Sequence, residues 1–286
     1  MIEKEIVENS FLSENSKYYE LSILVGVGSF VFVVVDERKM LLALKHWHFK
    51  NLLKSPIENF SSIYPNEPIL SLKYKKVQVA YSSKAFTLVP EKLYNSNHST
   101  SYLKNITEIS AWEEVFTDYI PSHKICNVFL IPKEVKTFFT EKYPEVSFYH
   151  STTVLLNSFS KLTLNNEGDK LLVNLAKGNL EVILINDAKL KLLNSYDLST
   201  GKDLLYYTLL IVEQFGLNQE KQEIYVSGLI DENSDLFQQL KRYLPKTKLL
   251  NAYVGLQLGE YFQKQVEIHN YFNILHFPVY TNDPKL

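Results

Sequence analysis

The chain has 286 residues, 45% of them hydrophobic, and a formal net charge of −2, an ordinary composition for a globular protein of two modest domains. This charge balance gives no electrostatic reason to expect a nucleic-acid partner, since binding a phosphate backbone needs a basic face. No run reaches the roughly 20 apolar residues of a membrane helix, and the acidic start MIEKEIVENS lacks a signal-peptide pattern. We therefore expect a cytoplasmic protein without membrane insertion.

The first predicted elements are three strands read around residues 21–49, LSILVGVGSFVFVVVDERKMLLALKHWHF. Their β-branched and aromatic residues place them at about 19–26, 29–36 and 39–49, with a tight charged turn after the second. His46 and His48 lie two residues apart on the third strand, so both face one side and have a spacing that can hold a metal. The sequence offers no evident third ligand near them, and we predict no metal site.

Helices and strands alternate through the rest of the first half. A helix is predicted at 51–64, despite Pro56, and a polar exposed insertion at 95–104. The only cysteine, Cys126, lies in the strand ICNVFLI, where a buried apolar role is favoured over a catalytic thiol. The further elements are strands VQVAYSS, KAFTLVP and VSFYHST, the helix KEVKTFFTEKYP, and a crossing helix TVLLNSFSKL.

A second meander follows at LLVNLAKGNLEVILI, residues 171–185. A shift of 150 residues places Gly28 on Gly178 and VVVDE at 33–37 on ILIND at 183–187, which predicts an internal duplication. The halves would be 1–160 and 161–286. The elements expected next are the helix STGKDLLYYTLLIVEQFG, the strand EIYVSGLI, the helix SDLFQQLKRYLP capped by Ser234, the strand TKLLNAYV and a helix over 260–275.

A three-stranded meander followed by alternating helices and strands, used twice, resembles the actin-like ATPase superfamily of actin, sugar kinases and the Hsp70 nucleotide domain. Residues 171–217 are similar to the second phosphate segment, and the helix after it, in the actin-like proteins of type IV pilus assembly and type II secretion. As a whole, the chain resembles a bacterial family of unknown function assigned to this fold. The resemblance implies an α/β class with two ribonuclease H-like halves.

The resemblance also implies where nucleotide chemistry would lie. In the superfamily, an acidic residue at the end of the first strand of each half helps to hold Mg²⁺. The family spacing, twelve residues before Asp36 and Asn186, gives Leu24 and Asn174, and neither is a carboxylate. We therefore expect a catalytically inactive pseudo-ATPase without a cofactor, acting as a protein-binding or scaffold module. No motif identifies its protein partner.

The alternative is a divergent nucleotide-binding protein or weak ATPase that uses ATP and Mg²⁺ in the interdomain cleft. Lys177 beside Gly178 could meet a phosphate, because a lysine beside exposed backbone N–H groups is a common anion site. The same Lys-Gly pattern also suits an ordinary hairpin turn. A carboxylate would have to come from elsewhere, such as Asp197 or Asp203. A homo-oligomer formed through the meander edges is a third possibility. The nucleotide-binding residues would be Asn174, Lys177, Gly178, Ser227 and Gly228.

Overall fold

The computed structural model describes residues 2–26, 28–49, 56–164 and 167–280 of the chain. Its strands are β1 (Ile2–Val7), β2 (Glu20–Val25), β3 (Ser29–Val35), β4 (Leu41–His48), β5 (Lys76–Tyr81), β6 (Phe86–Pro90), β7 (Glu113–Ile120), β8 (Ile125–Pro132), β9 (Ser147–His150), β10 (Asp169–Ala176), β11 (Asn179–Asn186), β12 (Lys189–Asp197), β13 (Glu223–Gly228) and β14 (Thr247–Leu249). Its helices are α1 (Pro56–Ile63), α2 (Ser99–Leu103), α3 (Lys133–Lys142), α4 (Ser151–Thr163), α5 (Gly201–Gln214), α6 (Asp235–Tyr243), α7 (Glu260–Gln265) and α8 (Phe272–His276). Within these ranges, no helix combines the length and apolarity needed to cross a membrane.

The described residues divide into two compact units, and the division falls inside α4. The first unit lies within Met1–Val154, Gly255–Gln265 and His276–Leu286, and the second within Leu155–Val254 and Val266–Leu275. The C-terminal segment therefore contributes residues to both units.

The main sheet of the first unit has the strand order β1-β4-β3-β2-β5-β9. The strands β2, β3 and β4 form an antiparallel meander, and β5 pairs with β2 in parallel. On β3, an inner strand of this sheet, Val33, Val34 and Val35 are fully buried. Consecutive residues point to opposite faces, so both faces of the strand are covered, which explains its continuous apolar run. The helices α1 and α3 meet through Phe60 and Phe139, whose ring centroids lie 5.7 Å apart.

A smaller antiparallel sheet in the first unit has the order β6-β8-β7. The short helix α2 packs on it through the buried Leu103, which shares a cluster with Val89 and Val128. This helix lies inside the segment 95–104, so the predicted polar insertion contains a buried anchor. Cys126 on β8 is a buried free thiol, as predicted.

The second unit contains one mixed sheet with the order β12-β11-β10-β13-β14. The strands β10, β11 and β12 form the second antiparallel meander, while β13 and β14 continue the sheet in parallel. A core from β10, β11, β13, α5 and α6 covers one face, with Leu171, Val182, Leu204 and Phe237 buried in it. Both predicted meanders are thus confirmed, and with them the mixed α/β fold class.

The structure departs from the sequence prediction near both ends of the chain. The expected helix over 260–275 is interrupted: α7 ends at Gln265, a 3₁₀ turn covers Ile268–Tyr271, and α8 follows. The strand β1 was not expected at all, because its short polar sequence pairs only with the distant β4. The predicted helix over 51–64 is present as α1, and its first residues, 51–55, lie outside the described ranges. The halves 1–160 and 161–286 stay a prediction.

Candidate functional site

The candidate site in the second unit surrounds the two-residue turn that joins β10 to β11. Lys177 and Gly178 form this turn, between the register partners Ala176 and Asn179. Gly178 has a φ of +74°, a left-handed conformation that glycine adopts without strain, and it is exposed. Lys177 is half-buried. The turn is therefore a tight hairpin, consistent with both the phosphate-turn and the ordinary-hairpin interpretations.

Asn174 lies at the centre of a buried polar cluster that spans three adjacent strands. Its register partners are Glu181 on β11 and Ser227 on β13. The Asn174 Nδ2 group donates to Glu181 Oε2 at 2.8 Å, and the Ser227 hydroxyl donates to Asn174 Oδ1 at 2.7 Å. All three side chains are buried, Ser227 completely. Two predicted site residues, Asn174 and Ser227, are thus in direct contact.

The donor and acceptor roles in this cluster limit what Asn174 can do. In this arrangement the Asn174 amide nitrogen donates to Glu181, and its carbonyl oxygen accepts from the Ser227 hydroxyl. A cation bound by that carbonyl oxygen would compete with the Ser227 hydroxyl for it. The asparagine is therefore integrated in the sheet, and a ligand would have to share or displace its bonds.

Gly228 ends β13 in a position that only glycine can occupy. Its φ is +86°, and a Cβ atom there would lie 1.9 Å from the backbone oxygen of Leu175. The next residue, Leu229, donates its N–H to that same oxygen at 2.9 Å. Gly228 thus permits a close approach of β13 to β10, beside the polar cluster.

Asp203 and Asp197 are the two carboxylates suggested as replacement Mg²⁺ ligands. They lie in α5 and at the end of β12. The Asp203 carboxylate accepts the backbone N–H groups of Ser199 and Thr200 at 2.8 and 2.6 Å, and so caps α5. These bonds to the cap lower the pKa of Asp203. Asp197 is exposed at the end of β12, opposite Asn179. Capping thus accounts for Asp203 without a metal.

The sequence reasoning missed Glu181, the carboxylate that contacts Asn174. A two-residue turn at Lys177 and Gly178 fixes the register of the hairpin, and counting outward from it pairs residue 174 with residue 181. The contact between Asn174 and Glu181 was therefore predictable from the sequence, by counting residue pairs outward from the two-residue turn.

The corresponding positions in the first unit are apolar. Leu24 on β2 pairs with Val31 on β3 and Ala80 on β5, the same strand relationships that Asn174 has with Glu181 and Ser227. Leu24 is half-buried, and the other two side chains are buried. None of these three residues can coordinate a cation or accept a proton.

Comparisons with known proteins agree with this architecture. The profile of a family described as protein of unknown function (DUF3822) matches residues 8–247. A crystal structure from Bacteroides thetaiotaomicron VPI-5482, described as a protein with an actin-like ATPase fold and unknown function, is similar over 93% of this chain and 99% of its own, with 22% identity and a TM-score of 0.79. The PilM–PilN type IV pilus biogenesis complex matches 90% of this chain and 96% of its own, with 13% identity and a TM-score of 0.61. No curated protein sequence matches.

Proposed function

Because the chain belongs to the DUF3822 family and has an actin-like ATPase fold, we propose that it is a catalytically inactive member of that fold which acts as a protein-binding or scaffold module. We also propose a cytoplasmic location.

The observation that carries this proposal is the apolar set Leu24, Val31 and Ala80 in the first unit. Phosphoryl transfer is catalysed mainly by positioning and by electrostatic stabilisation, with Mg²⁺ neutralising the developing charge. By resemblance, the first unit should supply a carboxylate at Leu24. A leucine between valine and alanine supplies neither a metal ligand nor a base, which supports loss of the reaction.

The protein-binding part of the proposal rests on a structural neighbour. The PilM–PilN structure is described as a complex for type IV pilus biogenesis, so a protein of similar fold functions there together with a second protein. Transfer of that property to this chain rests on the fold alone. We propose a protein partner of unassigned identity, with self-association as the other case.

The first test is thermal unfolding of the full chain with and without millimolar Mg-ATP or Mg-ADP, combined with an assay for phosphate release. A ligand at a hundred times its dissociation constant stabilises a fold by about 2.7 kcal/mol, which is a shift of several degrees. We expect no shift and no phosphate release. Turnover above the protein-free blank would contradict catalytic inactivity.

A second candidate function, divergent nucleotide binding without efficient hydrolysis, is favoured by Glu181. This residue places a buried carboxylate beside Asn174, in the unit whose turn retains Lys177 and Gly178. The ligand phosphates would contact the Lys177 ammonium and the backbone N–H groups of the turn. Glu181 would orient Asn174, and Asn174 would present its amide to the nucleotide or to its Mg²⁺.

A lysine pair distinguishes this candidate. Lys177→Ala removes the proposed phosphate contact, while Lys189→Ala removes an exposed lysine at the start of β12 as a matched control. If nucleotide raises the melting temperature of the wild type and of K189A but not of K177A, the binding candidate is supported. Equal shifts in all three proteins would place the nucleotide elsewhere and contradict it.

A further inference from the structure

A carboxylate and two imidazoles meet on one face at the edge of the first unit's main sheet. His46 and His48 lie on β4, and Glu3 lies on β1, the edge strand that pairs with β4. One candidate ligand atom from each of the three side chains lies within 4.8 Å of the others. The structure thus provides the third ligand that the sequence did not reveal.

A strand irregularity brings Glu3 to the histidines. The pairing of β1 with β4 shifts between Ile2 and Lys4, because Ile2 is opposite Trp47 whereas Lys4 is opposite His46. Glu3 is therefore the extra residue of a β-bulge. If the register of Lys4–Val7 continued, Glu3 would lie opposite Trp47, on the other face from the histidines. Bulges redirect side chains in this way, often beside functional sites.

The contacts within the cluster converge on one carboxylate oxygen. Glu3 Oε2 lies 3.5 Å from His46 Nδ1 and also contacts His48 Nε2. The two imidazole rings have centroids 4.5 Å apart. His46 is buried, His48 is 28% exposed and Glu3 is 44% exposed, so the cluster is anchored in the sheet and open to solvent on one side.

We propose that Glu3, His46 and His48 bind a divalent first-row transition metal ion, with Zn²⁺ the favoured occupant. Two imidazole nitrogens and a carboxylate oxygen form a ligand set typical of zinc sites with three protein ligands and an open fourth position. Small rotations of the exposed Glu3 and His48 side chains would bring the donors to the spacing of a tetrahedral site. The solvent side leaves the remaining position for water or an exogenous ligand.

Such a metal would connect two strands that otherwise meet at a sheet edge. Glu3 is near the start of β1, and both histidines are at the end of β4, so the ion would cross-link β1 to the sheet near the bulge. Binding should therefore stabilise the folded chain in proportion to the logarithm of the free metal concentration. This effect requires no catalytic activity and is independent of nucleotide.

The test is titration of the metal-free full chain with Zn²⁺ by calorimetry, and with Co²⁺ by visible absorption, which reports the coordination geometry directly. We expect one ion per chain. His48→Ala and Glu3→Gln should each weaken Zn²⁺ binding by about 100-fold or more, since loss of an outer-shell partner alone typically costs 10–100-fold. His98→Ala, at an exposed histidine outside the cluster, should bind like the wild type.

Both substituted cluster residues are partly exposed, so these variants should fold even if a variant of the buried His46 does not. Circular dichroism of each metal-free variant checks this. Absence of Zn²⁺ and Co²⁺ binding to the wild type would overturn the proposal. So would binding of equal strength in the wild type, H48A and E3Q, because the ion would then lie elsewhere.

Discussion

At the scale of single residues, Gly228 and Gly178 separate two effects of glycine in the same unit. Both have positive φ, but a Cβ at Gly178 would meet nothing within 4 Å, whereas one at Gly228 would overlap the Leu175 carbonyl. We expect Gly178→Ala to lower the free energy of unfolding by about 1–2 kcal/mol, the cost of a left-handed conformation. Gly228→Ala should lower it by roughly a further 1–3 kcal/mol from overpacking.

Urea denaturation of the two variants measures both costs. Equal losses of stability would contradict the close approach of β13 to β10 at this point. The comparison also bears on the candidate site, because Gly228 follows Ser227, whose hydroxyl donates to Asn174. A structural need for Gly228 explains this glycine without any nucleotide.

The buried carboxylate of Asp118 should make the stability of the fold depend on pH. Its carboxylate is buried and accepts the backbone N–H of His150 at 2.8 Å. Burial raises the pKa of Asp118 from 3.8 to about 7, and burial lowers the pKa of His150 to about 4. The fold therefore favours the uncharged form of each group, and the two groups act in opposite directions as pH changes.

The signs follow from proton uptake. Between about pH 4 and 7 the folded chain holds a proton on Asp118 that the unfolded chain releases, so the Asp118 contribution to stability falls as pH rises through this window. Between about pH 4 and 6.5 the unfolded chain instead holds the proton that His150 lacks in the fold, so the His150 contribution rises with pH. In the wild type these slopes partly cancel.

Asp118→Asn should therefore expose the His150 slope. The stability of the variant relative to the wild type should increase from pH 4 to pH 7.5, by a change on the order of 4 kcal/mol. Urea denaturation at pH 4, 5.5 and 7.5 provides the measurement. If the difference in stability between D118N and the wild type did not change with pH, the Asp118 carboxylate of the wild type would not be destabilised in the fold.

At the scale of elements, Lys45 links three pieces of the first unit. Lys45 is on β4, and its ammonium lies 2.6 Å from Glu5 Oε1 on β1. The same ammonium lies 2.8 Å from Oε2 of Glu67, the residue that precedes the short 3₁₀ helix Pro68–Ser71. The Lys45 and Glu67 side chains are nearly inaccessible, at 9% and 6% exposure, whereas Glu5 is 52% exposed. The two ion pairs should therefore differ in their effect on stability.

Lys45→Met should lower the free energy of unfolding by about 3–5 kcal/mol, because it leaves the Glu67 charge buried without a partner. Glu5→Gln should cost about 1 kcal/mol or less, as for other exposed pairs. In the double variant K45M/E67Q the loss should be smaller than in K45M, since the unpaired charge is gone. A denaturant-based double-mutant cycle measures the coupling, and additive losses would contradict the buried pair.

Some of these elements are predictable from the sequence, and others are not. The meander strands were predictable because runs such as SFVFVVV combine β-branched residues with charged turns. The strand β1 was not, since it is defined by pairing with β4 about forty residues away, and Glu3 reaches His46 and His48 only through a bulge in that pairing. Long-range register and bulges leave no local signal in an isolated sequence.

The interrupted helix at 260–275 has a comparable cause. Its apolar spacing favours a helix, but His269 lies within hydrogen-bonding distance of the Ile230 carbonyl and the Asn251 side chain, at 2.9 and 3.0 Å. Glu267 before it has extended backbone angles, which end the helical path. Tertiary hydrogen bonds thus override the local preference, and the break was outside the reach of periodicity.

At the scale of the whole molecule, the order of segments along the chain determines what can fold by itself. The predicted first half ends at residue 160, but the first unit also includes described residues within Gly255–Gln265 and from His276 onward. Gln257 exchanges backbone hydrogen bonds with Lys39 and Leu41, at 2.8 and 2.9 Å. The Gln78 amide donates to the Phe277 carbonyl at 2.6 Å in a buried position.

We therefore expect a fragment of residues 1–160 to lack a cooperative fold, because it would expose the buried Gln78 and remove the ring contacts of Tyr149 with Phe277 and Tyr280, at centroid distances of 5.7 and 5.1 Å. Thermal unfolding by circular dichroism and amide dispersion by NMR test this, with the full chain as reference. Phe277→Ala in the full chain should act in the same direction and cost about 3–5 kcal/mol, since this ring is fully buried. A fragment 1–160 with a sharp transition close to that of the full chain would instead support an independent first half with the boundary near residue 160.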